Sequence, residues 1–327
     1  MTKCLVTGGT GFIGSHLVKR LLDEGNEVRI FVRRPANQIF ENLEVDVVYG
    51  DIRDRESVFR SVKGVDKVYH LAAVFRETKL PDRDYWTTNV DGTRNILEAS
   101  IKEGVNRFLH CSTVGVHGHI SEHPANEEAP FNPGDIYQKT KVEGEILAKA
   151  YHKREGLPVT IIRPAGIYGP GDLRFLRLFK AIKSGRFIMI GKGDVYYHMC
   201  YISDLIDGII QASKRDEAIG ETYILAGGKY TTLKYLVELI AKALKASPPK
   251  RSFPFFMPVY LASYIVEIIA KPFGLEPPIH RRRVDIFRKS RAFDITKAKK
   301  DLGYKPKVDL ETGIKMTVEW YERMGYL

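Results

Sequence analysis

The chain has 327 residues, 44% of them hydrophobic, and its 51 Lys and Arg against 40 Asp and Glu give a formal net charge of +11. That length and apolar content exclude a disordered tail or a disulfide-stapled miniature and suit one large domain or two unequal ones. Cys4, Cys111 and Cys200 sit in apolar, strand-like settings without metal-ligand spacing, so they read as buried thiols of a reducing compartment, with no metal site expected.

In chain order, short apolar runs alternate with amphipathic stretches. Strands are predicted at 4–7, 28–32, 45–49, 67–71, 107–112 and 159–163, with helices at 15–24, 55–62, 85–104 and 137–155 between most of them. A strand starting this early leaves no room for a signal peptide, so a cytoplasmic location is expected. The alternation predicts right-handed βαβ crossovers and an α/β fold, a Rossmann-type doubly wound parallel sheet, over residues 1–170. Past Pro170 the rhythm changes to a helix at 173–184, a strand at 187–190, a loop at 191–197 and a helix at 203–213 with Ser203 as its N-cap. A strand at 222–225 and a helix at 233–244 follow, Ser247-Pro248-Pro249 breaks the chain, and 310–324 closes it as an amphipathic helix. Residues 171–327 are read as a smaller mixed substrate lobe over the carboxyl ends of the strands, with some later segments returning to the sheet.

The most apolar window, 254–270, is interrupted by Glu267 and is too short to span a bilayer, so it reads as a core or pocket helix. Shallow membrane contact beside the basic run is the lesser alternative. That run, from Lys271 to Lys307, holds 12 basic and 4 acidic residues and reads first as a solvated face. It lacks the aromatic interleaving of a stacking platform, and no nucleic-acid partner is expected.

Gly8-Gly9-Thr10-Gly11-Phe12-Ile13-Gly14 follows the first strand and opens the first helix. There the glycines permit a tight turn and close approach of backbone to a pyrophosphate on the helix N-terminus, which places a dinucleotide at Gly8, Gly11, Phe12, Ile13 and Gly14. The second strand ends in Arg33-Arg34, where many dinucleotide folds carry an acid for the adenosine ribose. Two guanidinium groups suit a 2′-phosphate, which favours NADP over NAD. Asp51 and Ile52 follow the third strand and are placed at the adenine, though Asp51 also reads as a cap for the next helix. Tyr137 and Lys141 stand four apart at a helix start and share a face. An ammonium there favours the phenolate and fits the tyrosine for proton exchange with a hydroxyl or carbonyl.

Taken together, TGGTGFIG at the start, GDIRD at 50–54, HLAA at 70–73, NVDGTRN at 89–95, YQKTK at 137–141 and RPAGIYGPGD at 163–172 resemble the extended short-chain dehydrogenase/reductases. This superfamily includes sugar-nucleotide epimerases and dehydratases, 3β-hydroxysteroid dehydrogenases and dihydroflavonol reductases. The resemblance implies that Tyr137 transfers the proton, that Lys141 tunes it and holds the nicotinamide ribose, and that Thr113, beside Ser112, orients the reacting oxygen. His117 falls where a tyrosine is common. Leu71, Ala72 and Ala73 would line the cofactor, Pro164 and Ile167 would face the nicotinamide carboxamide, and Arg76 would enter the substrate pocket. Asn89 would be a buried structural amide, and helices 85–104 and 137–155 would join a homodimer.

Three departures narrow the substrate. Val114-Gly115 replace the Asp-Glu pair of the dehydratases, so dehydration is not expected. Gly166 stands where many sugar-nucleotide enzymes carry Asn, and Tyr197 where an Arg grips the diphosphate, with His198, Arg174 or Arg177 as partial substitutes. The stretches 163–172 and 253–271 resemble the sterol dehydrogenase side, and 253–256 would floor an apolar pocket. The expected function is an NAD(P)-dependent oxidoreductase interconverting a secondary alcohol and a ketone on a sterol-like or other non-nucleotide small molecule. A nucleotide-sugar 4-epimerase is the alternative, and a non-catalytic dinucleotide sensor or RNA-binding relative a minor one.

Overall fold

A computed structural model describes residues 1–34, 40, 43–75, 80–249, 251–270 and 284–327, the side chain of Glu267 excepted. The expected position of Arg76 and the start of the basic run lie outside these residues. Its strands are β1 (Lys3–Thr7), β2 (Glu27–Val32), β3 (Asp46–Tyr49), β4 (Lys67–His70), β5 (Arg107–Cys111), β6 (Val159–Pro164) and β7 (Gly166–Tyr168). They continue with β8 (Met189–Ile190), β9 (Tyr196–Tyr197), β10 (Met199–Tyr201), β11 (Thr222–Leu225), β12 (Thr231–Thr232) and β13 (Ser252–Phe253). Seven form one parallel sheet in the order β11-β6-β5-β4-β1-β2-β3; β10 pairs with β7, β12 with β9 and β13 with β8.

Alternate residues along each strand feed opposite faces of the sheet. Cys4, Val6 and Ile30 pack with Leu17 and Leu21 of helix Phe12–Asp23 and with Leu205 and Ile209 of helix Ile202–Lys214. Leu5, Phe31, Val68 and Phe108 pack on the other side with Val58 of helix Arg55–Val62 and Ile96 of helix Gly92–Lys102. Both faces are covered, which is why the strands read as nearly continuous apolar runs.

Several expectations change. The helix predicted at 85–104 begins at Asp82 and passes through a π-helical turn, Thr87–Asp91, before continuing as Gly92–Lys102. From that turn Asn89 accepts from Val74 N–H at 2.7 Å and donates to Val74 O and to Thr140 Oγ1. Ser203 lies inside helix Ile202–Lys214, whose N-cap residue is Tyr201. The stretch 253–256, expected to floor an apolar pocket, is instead largely on the surface, and helix Phe256–Ala270 shows most of its apolar side chains to solvent rather than to a core.

Arg163, at the end of β6, is fully buried and bidentate to Glu145 of helix Ile136–Glu155, through Nε at 3.0 Å and a second nitrogen at 2.6 Å. The same guanidinium donates to Glu127 O and to His117 Nε2. On β4 and β5, His70 and His110 face each other in register with rings 5.5 Å apart. His70 is fully bonded: the Thr7 hydroxyl donates to Nδ1, and Nε2–H donates to Thr93 Oγ1, whose own proton goes to Asn89 O. Neither ring nitrogen of His110 has a partner among the described residues.

Burial holds His70 down to about 3 and His110 well below the ordinary imidazole value, with the Lys141 charge adding to both. Both rings are therefore neutral in the fold. The unfolded chain takes up these protons below about pH 6.5 while the folded chain does not, so stability falls as pH drops from there toward His70's folded value. The slope is about 1.4 kcal/mol per pH unit for each imidazole. Urea midpoints should be lower at pH 5 than at pH 7, and His110→Leu should shrink the difference. A pH-independent midpoint over that range would mean that these rings accept protons inside the fold.

Candidate active site

The carboxyl ends of β1, β4, β5 and β6 share one edge of the sheet, and the strand order reverses at β1, between β4 and β2. Open α/β sheets bind ligands at such a point. The glycine turn forms one wall. Gly8 has φ +71°, and a Cβ there would stand 2.9 Å from Ala72 N, so the turn lies flat against the Leu71-Ala72 backbone. A Cβ at Gly14 would strike the Gly8 carbonyl and come within 2.7 Å of Gly9 Cα. Gly11 N–H donates to Gly8 O at 3.0 Å, and helix Phe12–Asp23 begins without a side-chain cap among the described residues. Phe12 and Ile13 thus stand in a first turn whose N–H groups and positive dipole end suit an anion. Ala72 N–H donates to Thr7 Oγ1, which fixes the facing segment on which Leu71 and Ala73 flank it.

Helix Ile136–Glu155 supplies the second wall. The Asp135 carboxylate caps it by accepting from Gln138 N–H at 2.8 Å. Tyr137, Thr140, Lys141, Gly144 and Glu145 then lie on its buried face, as their spacing predicts. Tyr137 packs edge-to-face on Phe75 at 5.0 Å and clusters with Val74 and Tyr85. Lys141 is buried and its Nζ donates to Cys111 O at 2.6 Å; burial lowers its pKa below the ordinary lysine value. At the end of β5, Thr113 Oγ1 accepts from Gly115 N–H at 3.0 Å, which leaves the hydroxyl proton available for donation. Ser112 Oγ is buried without a partner among the described residues.

Pro164, the last residue of β6, and Ile167 of β7 are buried beside Gly166, whose N–H donates to His198 O at 3.0 Å. A Cβ at Gly166 would lie 3.0 Å from Met199 Sδ and 3.2 Å from His198 O, so a longer side chain there would need these neighbours to give. His198 is buried and neutral, its pKa lowered by burial. Its Nε2–H donates to Gly227 O at 2.8 Å and its Nδ1 accepts from Phe293 N–H, leaving no ring nitrogen for a ligand. Tyr197 Oη donates to Ile286 O and accepts from Arg291 at 3.2 Å. The Arg291 guanidinium lies 5.7 Å over the Tyr197 ring. A guanidinium therefore does stand at Tyr197, but it comes from a distant segment where nothing in the local spacing marks it. Arg174, ion-paired with Asp172, donates to Ile167 O and lies over the rings of Phe12 and Phe75. It joins the glycine turn to the neighbour of Tyr137.

At the far end, Arg33 and Arg34 are exposed after β2. Asp51 is not the cap of the next helix: Asp54 accepts from Glu56 and Ser57 N–H there. The Asp51 carboxylate is instead held by Arg53 at 2.7 and 2.9 Å, which, with further help from Arg33, keeps it below the usual carboxylate range. Arg53 is a third guanidinium at this end that the sequence reading missed. Ile52 is buried against Gly92, where a Cβ would come within 2.7 Å of it. The glycine cradle, the flat backbone opposite it and the arginines at its far end fit a dinucleotide.

Residues 4–226 match the NAD dependent epimerase/dehydratase family. The chain is 30% identical to the Arabidopsis thaliana 3beta-hydroxysteroid-dehydrogenase/decarboxylase isoform 1, over 98% of this chain and 80% of that one. It is 28% identical to the N-acetyl-alpha-D-glucosaminyl-diphospho-ditrans,octacis-undecaprenol 4-epimerase of Escherichia coli O157:H7, over 97% and 94%. Its fold is like that of the UDP-glucuronic acid 4-epimerase from Bacillus cereus solved in complex with NAD, with a TM-score of 0.79 and 26% identity over 99% of each chain. Family match and cleft agree: the chain belongs to the NAD dependent epimerase/dehydratase family, the extended short-chain dehydrogenase/reductases, and is an NAD(P)-dependent dehydrogenase or epimerase.

Proposed function

We propose that the chain interconverts a secondary alcohol and a ketone on a sterol-like or other non-nucleotide carbinol, with NADP(H) as its dinucleotide. The observation that carries the chemistry is the shared buried face of Tyr137 and Lys141 beside the end of β5, where Thr113 keeps a hydroxyl proton to donate. Bound in the glycine cradle, the nicotinamide supplies the hydride acceptor in one direction and the donor in the other. In the direction of oxidation, Tyr137 as phenolate takes the hydroxyl proton while the hydrogen on the same carbon leaves as hydride. In the direction of reduction, the phenol returns that proton to the carbonyl oxygen. Thr113 donates a hydrogen bond to the reacting oxygen and stabilises the charge that develops there. Lys141 spends one of its three protons on Cys111 O and keeps two for the phenol and the nicotinamide ribose.

The substrate class is supported by Gly166, where no amide can face a diphosphate, and by the engaged nitrogens of His198. The hydroxysteroid dehydrogenase from Arabidopsis thaliana adds support. The preference for NADP(H) rests on exposed Arg33 and Arg34 in place of an acid. A homodimer in the cytoplasm, joined through the helices on either side of the π-helical turn and helix Ile136–Glu155, belongs to the same proposal.

One observation favours a second reading. Arg291 over Tyr197 offers a guanidinium where a diphosphate would lie, as a nucleotide-sugar 4-epimerase requires. Tyr137, Lys141 and Thr113 would then serve a transient oxidation at C4, with hydride returned to the opposite face of the rotated keto-sugar.

Replacing Tyr137 by Phe should lower turnover of alcohols or ketones about a hundredfold to ten-thousandfold while dinucleotide affinity is kept; near-normal turnover would remove Tyr137 from the mechanism. Arg33→Asp combined with Arg34→Ala should weaken NADP(H) binding roughly tenfold to a hundredfold and leave NAD(H) nearly unchanged, as read by fluorescence titration. An equal loss for both dinucleotides would refute the 2′-phosphate assignment. Denaturing the purified protein should release NADP or no dinucleotide, as expected of an enzyme that exchanges its cofactor each turnover. Near-stoichiometric NAD would establish the epimerase instead.

A further inference from the structure

Helix Phe256–Ala270 is apolar on two faces. Ser263 and Ala270 are buried and Phe256, Val259, Tyr260 and Val266 partly so, which seats one face on the protein. The opposite face carries Met257, Leu261, Ile265, Ile268 and Ile269, each more than half exposed, with exposed Phe255 just before it. Their spacing makes one continuous stripe along the helix. Apart from Ser263 and Glu267 the helix is apolar, and a water-facing helix would carry polar side chains at the stripe positions. The 15 residues reach about 22 Å, short of the roughly 30 Å hydrocarbon core, and among the described residues no helix is long and apolar enough to cross a membrane. A stretch of this length can lie along a bilayer surface.

Charge selects the surface. The Arg288 guanidinium lies 5.6 Å over the Phe256 ring and 5.7 Å over that of Tyr260, with half of its side chain exposed. Arg251, just before β13, is exposed as well. Asp285 offsets part of this charge by pairing with Lys289 at 2.7 Å and Arg288 at 3.3 Å. A second copy of the chain would bring the same positive charge to this face, whereas anionic headgroups neutralise it.

We propose that this face docks on an anionic lipid bilayer, with the Met257–Ile269 stripe in the acyl boundary and Arg251 and Arg288 at the headgroups. The inference is independent of which substrate the cleft takes. The intact chain should float with vesicles of equimolar phosphatidylcholine and phosphatidylserine at low salt, be released by high salt, and bind vesicles of phosphatidylcholine alone roughly tenfold more weakly or less. Ile265→Ser with Ile268→Ser should abolish flotation while far-UV circular dichroism and dinucleotide binding stay unchanged. Should that variant misfold, Arg251→Glu with Arg288→Glu should lose the preference for phosphatidylserine. Three results would overturn the proposal: no flotation of the wild-type chain, flotation that these substitutions leave intact, or a solution oligomer that Ile265→Ser with Ile268→Ser disperses, which would put a second copy on the face.

Discussion

A buried ion pair joins the sheet to the helix that carries Tyr137 and Lys141. Arg163 arrives on β6 and Glu145 on helix Ile136–Glu155, and neither side chain reaches water. Taking two charges out of solvent is costly, and such a pair adds little net stability against an apolar substitute; removing one partner alone typically costs about 3–5 kcal/mol. Its value lies in position. Glu145 is one turn beyond Lys141, so the bidentate contact sets the height at which the ammonium meets the Cys111 carbonyl. The same guanidinium holds His117 and the Glu127 backbone, which fixes the segment following Thr113 against the sheet.

The surroundings of Lys141 are arranged so that its charge is not spent elsewhere. His70 and His110 stay neutral through burial, and the Cys111 thiol is pushed up to about 11. The backbone carbonyl that receives the ammonium carries no formal charge. Glu145, the carboxylate among the described residues whose charge acts on this ammonium, is itself paired with Arg163. The chain of bonds from Ala72 through Thr7, His70 and Thr93 to Asn89 ties the segment facing the glycine turn to the π-helical turn. Asn89 extends that chain to Thr140, one residue from Lys141.

On the outside of the molecule the same chain shows the opposite economy. Helix Phe256–Ala270 places aliphatic side chains where water would favour polar ones, beside exposed arginines.

What the sequence determined by itself was whatever depends on neighbours in the chain. The glycine turn, the shared face of Tyr137 and Lys141 and the strand–helix alternation follow from backbone sterics and from periods of 2 and 3.6 residues, so they read directly. All seven sheet strands were placed to within one residue, and helix 55–62 at its observed ends. The tertiary structure alone decided what depends on residues far apart. Arg291 reaches Tyr197 across 94 positions, His198 gives both nitrogens to segments that its sequence does not name, and Asp51 is taken by Arg53 while Asp54 makes the cap. From the π-helical turn Asn89 meets both Val74 and Thr140, partners that no local spacing marks. Helix Phe256–Ala270 shows the limit most plainly: its composition is that of a core helix, and hydrophobicity fixes what a side chain avoids, not which apolar surroundings it finds.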